Sequence, residues 1–153
     1  MKMKRLISFV IVLLLICGMP VSAFADTWYV DDGNITVNAT DSGQTVSQGE
    51  TTTPDDAPVI TQRDSCTPTT NTVTINAEEN ATANVTLDGV NIDTRGTHKA
   101  AVEIQGEGDV VIELDGTNTV QSSSGNAGVQ VVDVEVENLL VVVKVCSLDS
   151  LCI

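Results

Sequence analysis

The sequence predicts an all-β fold, a solenoid of stacked coils, and three observations predict it. First, apolar and polar residues alternate in short stretches. Ile35-Thr36-Val37-Asn38-Ala39 returns as Val73-Thr74-Ile75-Asn76-Ala77, and more loosely as Val102-Glu103-Ile104-Gln105. That period of two is the pattern of a half-buried strand. Second, Val85-Thr86-Leu87-Asp88-Gly89 is restated 27 residues later as Ile112-Glu113-Leu114-Asp115-Gly116. Third, an equivalent asparagine follows each copy: Asn91 in Gly89-Val90-Asn91-Ile92, and Asn118 in Gly116-Thr117-Asn118-Thr119. The unit is strand, short turn, strand, glycine bend, asparagine, strand. No stretch of 26–128 carries the apolar stripe of a helix. One coil cannot bury its inward Val, Ile and Leu until the next coil covers them, so repeats of this length stack.

The chain opens with a targeting segment. Lys2, Lys4 and Arg5 precede the apolar run Leu6–Val21, and Ala23-Phe24-Ala25 has the small-x-small form that a signal peptidase needs. Residues 1–25 therefore read as a cleaved secretory signal, not a membrane anchor. A lipoprotein signal would use Cys17, but the branched Ile16 stands where a small residue is wanted. The strand-rich domain is expected over 26–130. Within it, 44–70 interrupts the period. Pro54, Pro58, Pro68 and a threonine run make this a loop-rich insert, with one strand expected at Pro58-Val59-Ile60-Thr61-Gln62.

Residues 131–153 are atypical. Gly and Thr vanish and valine dominates, although Val132-Asp133-Val134-Glu135-Val136 still alternates. Leu139–Val145 is an apolar run too short to span a membrane. Glycine codons read one base later become valine codons, so an out-of-frame ending is one expectation. A terminal strand capping the last coil is the other, and the nucleotide sequence decides between them. Cys66 stands alone mid-chain, with Cys146 and Cys152 near the end. That is no disulfide framework, and a Cys146–Cys152 pair stays open.

Composition excludes some functions. The formal net charge is −14, and loss of the signal removes three of the few basic residues. Such a chain is repelled by nucleic acid and by anionic membrane surfaces. Aromatics are only 3%, so the core must be aliphatic, and Val, Ile, Thr and Asn are strand-compatible fillers.

If the two Leu-Asp-Gly strands stack in register, Val85, Leu87, Ile112 and Leu114 point inward. Asp88 and Asp115 then become neighbours about 4.8 Å apart. Their repulsion is about 1 kcal/mol in water and about 3 at an effective dielectric of 20. Three arrangements relieve it. The side chains splay into solvent, which is the simplest. A basic residue of the turn Thr94–Ala100, Arg95 or Lys99, reaches over. Or Ca2+ sits between them, since hard oxygen ligands suit it. That makes Asp88 and Asp115 the candidate metal residues. Asn91 and Asn118 are expected to form a structural amide ladder rather than to touch a ligand.

Trp28 and Tyr29 hold nearly all the aromatic surface, and Asp31-Asp32 follow them. These four are the candidate carbohydrate-binding residues, since a ring with an exposed face and a polar tip suits a sugar. Against that, a tryptophan at the start of a solenoid more simply caps its open end. No catalytic set is recognisable. His98, the one histidine, sits in a polar turn, and no pair of acids stands out for glycoside hydrolysis. The sequons at Asn34, Asn38, Asn80 and Asn84 reflect Asn/Thr-rich strands.

The run from Thr27-Trp28-Tyr29-Val30 to Gln130, above all VTINA, VTLDGVNID and DVVIELDGTNTVQS, resembles secreted carbohydrate-binding domain proteins of Gram-positive gut and cellulose-degrading bacteria. The resemblance implies a right-handed parallel β-helix shared with polysaccharide lyases, here as an N-terminal fragment. It implies sugar binding outside the cell, by a secreted or surface-held protein, with calcium on acidic side chains. The expectation is therefore a non-catalytic polysaccharide-binding module. The alternatives are a surface adhesin or spacer without sugar affinity, and a lyase remnant.

Overall fold

The computed structural model describes residues 25–132 and 139–143. The signal core, Cys17, Cys146, Cys152 and most of the Val-rich tail lie outside these residues. The chain folds as β1 (Thr27–Tyr29), a 3-10 turn (Val30–Asp32), β2 (Ile35–Thr40), β3 (Gly43–Gln48), β4 (Thr51–Pro54) and β5 (Val59–Thr61). Then come β6 (Val73–Ala77), β7 (Thr82–Asp88), β8 (Asn91–Asp93), β9 (Val102–Gly106), β10 (Asp109–Asp115), β11 (Thr119–Gln121), β12 (Val129–Val131) and β13 (Leu139–Val143). These strands make a β-solenoid of about four turns, as the repeats predict.

The strands stack into three sheets. Sheet A has the order β1-β5-β7-β10-β13, sheet B the order β12-β9-β6-β2-β3-β4, and sheet C pairs β8 with β11. Pairing is parallel throughout, except where β3 folds back antiparallel on β2 and β4 on β3. The two restated strands stack as expected: Val85 faces Ile112, Leu87 faces Leu114 and Asp88 faces Asp115. Val85, Leu87 and Ile112 are buried, and Leu114 packs against the core from a less covered position.

Inward residues form continuous columns. In sheet A, Trp28, Ile60, Leu87 and Leu114 are register partners in turn. In sheet B, the column Val46, Val37, Ile75, Ile104 and Val131 runs beside Ile35, Val73, Val102 and Val129. Burying one such side chain contributes about 1.5–3 kcal/mol, and each coil does so only because the next lies on it. At the β12 edge the columns are less covered: Val129 is 40% and Val131 43% exposed, against 0% for Val102 and Ile104.

Glycine is fixed at two kinds of position, one of them in the restated Leu-Asp-Gly. Gly89 and Gly116 both have φ +65°, the left-handed region that favours glycine, so both bends need the same residue. Coil-to-coil contact imposes the other constraint. A Cβ on Gly106 would lie 2.0 Å from the Ala77 carbonyl oxygen, so only glycine fits there.

The segment 44–70 is more ordered than its composition suggests. The strand expected around Pro58–Gln62 is β5, but most of β3 and all of β4 lie in this segment too. The inward positions of β3 are Gln44, Val46 and Gln48, so the strand carries little apolar signal. In the tail, Leu139–Val143 runs parallel to β10, beside Val110–Leu114.

Candidate functional site

The residues singled out in the sequence fall into three places. Trp28, Tyr29, Asp31 and Asp32 lie in the first coil. Trp28 is partly buried against the core, at the β1 edge of the sheet A column. Its indole N–H donates to Asp55 Oδ2 at 2.9 Å, and the Asp26 N–H donates to the same oxygen at 3.2 Å. This is the geometry of an end cap.

Tyr29 points the other way. The guanidinium of Arg63 stacks on its ring, 3.8 Å from the centroid. The same guanidinium donates to both carboxylate oxygens of Asp32, at 2.6 and 2.7 Å, and lies 3.6 Å from Asp31. The bonded guanidinium holds the Asp32 carboxyl below the usual carboxylate range. Three of the four candidate sugar residues are therefore brought together, but around Arg63. Nothing in the sequence paired Arg63 with them, because the contact spans about one coil.

Asp88 and Asp115 are register neighbours on the outer face of sheet A, beside Asp109 and Glu113. Asp115 Oδ1 accepts the Gly116 N–H at 2.9 Å. Arg95 does not reach the pair. It grips Asp93 with its Nε and Nη2 instead, which draws the Asp93 carboxyl below its ordinary range. No group of three or more His, Cys, Asp and Glu able to hold a metal occurs among the described residues. Ca2+ takes six to eight oxygens. Two carboxylates therefore fit it only as a bridge, with ligand and water supplying most of the shell.

Asn91 and Asn118 do not bond to each other, which corrects the expected ladder. Asn118 accepts the Val90 N–H at 3.0 Å and donates to the carbonyls of Leu87 at 3.0 Å and Asp115 at 2.8 Å. Asn91 donates to the Ser65 carbonyl at 2.8 Å. Asn91 stands opposite Thr119, not Asn118, so the amides are out of register. Each is spent on the backbone of a bend. An amide-to-amide bond does form in sheet B, where Asn76 donates to Asn38 at 2.6 Å.

Sequence reasoning missed Gln44 and Asp55. Gln44 is 4% exposed, and its amide exchanges both bonds with the backbone of Asn84, at 2.9 and 3.0 Å. The side chain thus imitates a strand residue beside β7, where β5 has not yet begun. Next to it, Asp56, Ala57, Asn84, Val85, Thr86, Val111 and Glu113 line a shallow depression of about 260 Å³ on sheet A. The alternation of Gly43–Gln48 was the one available signal.

Sheet B presents a different outer face. One row, in register across six strands, is Thr52, Ser47, Thr36, Thr74, Glu103 and Gln130. A second is Thr45, Asn38, Asn76 and Gln105. Glu103 is the one charged member, and Gln105 donates to it. The basic residues of the described chain, Arg63, Arg95 and Lys99, all sit in loops. His98 is exposed in such a loop, with φ +56°. Cys66 is disulfide-bonded, which the cysteine spacing did not indicate, and the other three cysteines lie outside the described residues.

No family model, curated protein or solved structure matches this chain.

Proposed function

We propose that the protein is an extracellular, non-catalytic module that binds polysaccharide on the outer faces of its solenoid. The observation that carries this reading is the depression on sheet A. Carboxylates from Asp56 and Glu113, the Asn84 amide and the Thr86 hydroxyl stand beside the aliphatic surfaces of Ala57 and Val111. Sugars need that mixture: hydrogen-bonding groups for the hydroxyls and apolar area for the C–H faces. The site sits on paired strands, so its groups are positioned before ligand arrives.

Ca2+ enters this reading as a bridge between the Asp88–Asp115 pair and an acidic sugar. The protein then acts by holding polymer, with no bond made or broken.

A glycan array probed with and without a chelator tests the reading. The expected result is sugar binding, with acidic sugars dependent on Ca2+. Asn84→Ala with Thr86→Val should weaken binding of single sugar rings about tenfold, the loss of two polar contacts. Binding to host protein alone would mark an adhesin, and release of unsaturated sugar products would mark a lyase.

A further inference from the structure

We infer that the outer face of sheet B is a docking surface for an extended, uncharged polysaccharide chain lying along the stack. This rests on the reading of the protein as a polysaccharide binder, and adds which face binds and what charge class it takes.

Charge distinguishes the two faces. Sheet A turns four carboxylates outward from two adjacent strands: Asp88, Asp109, Glu113 and Asp115. An anionic polymer is repelled there unless a cation bridges it. Sheet B turns outward a single carboxylate, Glu103, whose charge is met by an amide. Its surface is complementary to a ligand that carries hydroxyls and no charge.

Unspent hydrogen-bonding capacity is the second argument. The amides and hydroxyls of the corners are consumed internally: Asn118 and Asn91 hold bends, and Thr94 donates to the Lys99 carbonyl at 2.7 Å. On sheet B the side chains of Thr36, Thr45, Thr74 and Gln130 make no hydrogen bond to the described residues. Asn38 accepts from Asn76, which leaves its own N–H2 group and the Asn76 carbonyl oxygen for a ligand. A purely structural ladder would use both ends of each amide.

Register is the third. Neighbouring strands repeat these groups about every 4.8 Å, close to the length of one sugar ring. A chain running across the strands meets the same kind of group at each step, and the threonine methyls cover its C–H surfaces. The backbone beneath is paired on both sides through most of the sheet, so little ordering is needed on binding. No aromatic ring lies on this face among the described residues. Each contact is therefore weak, and affinity accumulates with polymer length.

The experiment is affinity electrophoresis of the purified protein. The gels contain hydroxyethylcellulose, an uncharged soluble β-glucan, or polygalacturonate, each with Ca2+ or with EDTA. Thr36→Val with Thr74→Val removes two unbonded hydroxyls and keeps strand-favouring shapes. The wild-type protein should be retarded by the uncharged polymer equally in Ca2+ and EDTA. The double variant should bind it about tenfold more weakly. Lys99→Ala, in an exposed loop outside both faces, should leave that retardation unchanged. Should the double variant lose its strand circular dichroism, Thr45→Arg blocks the face from the hairpin side and should abolish retardation.

Full retardation of the sheet B variants, or binding only to polygalacturonate, overturns the inference while the polysaccharide reading stands. Retardation by neither polymer removes the inference, and a blank glycan array removes the broader reading as well.

Discussion

Asparagine appears in this chain in two roles that the letters alone do not separate. Asn118 serves three backbone groups at one bend, whereas the Asn91 side chain serves one. Removing a side chain that satisfies buried backbone groups costs the net bond and the desolvation of what is left behind. Asn118→Ala should therefore destabilise by about 2–3 kcal/mol and Asn91→Ala by about 1, read from urea unfolding midpoints. Arg63 makes a different kind of contact, exposed and screened. Its link to Asp32 lowers the folded carboxyl pKa, so the contribution is present above the unfolded value of about 3.9 and is lost as pH falls through the folded one. Arg63→Ala should lower the thermal midpoint slightly at neutral pH and match wild type at about pH 2. A difference that persists in acid would mean that Arg63 acts through its stacking on Tyr29.

Strands and turns explain why the restated segments were the readable ones. VTLDG and IELDG carry two apolar residues each on one face and end in a glycine forced left-handed, so pattern and turn chemistry agree. The hairpin β3–β4 carries no such agreement. The inward positions of β3 are held by one valine between two glutamines, and its polar text reads as loop. Gln44 counts as a strand former only because the backbone of Asn84 waits across the coil, 40 residues away. Gln44→Leu should keep the volume but strip both partners from Asn84, costing about 2–4 kcal/mol by denaturant titration. Within the candidate site, Asp88 and Asp115 were legible as neighbours because period alone sets register. The depression was not, because Asp56 and Ala57 reach it from outside the period.

Stacking makes stability a property of neighbours rather than of any one coil. Ile75 is covered by Val37 on one side and Ile104 on the other, whereas Val131 lies on the β12 edge, 43% exposed. Ile75→Ala should cost about 3–4 kcal/mol, and Val131→Ala less than about 1, in the same unfolding assay. Equal losses would mean that the β12 edge is as covered as the middle. Charge is partitioned on the same plan. Acids face outward from sheet A, uncharged amides and hydroxyls from sheet B, and the cations among the described residues lie in loops. On the proposed reading, that partition gives one small solenoid two kinds of sugar surface.

Period-two alternation, the repeat spacing and the two left-handed glycines were enough to specify the coil, its inward residues and the facing of Asp88 on Asp115. These are consequences of neighbours in sequence, since each coil repeats the geometry of the last. The coordinates were needed to assign partners. They placed Trp28 on Asp55, Tyr29 and Asp32 on Arg63, Asn118 on a bend, and Gln44 on the flank of β7. Those contacts join residues 27 to 40 apart along the chain, and the period does not say which side chains meet across a coil. Hydrogen-bond partners are chosen by position in space, and a linear text records composition and period but not position.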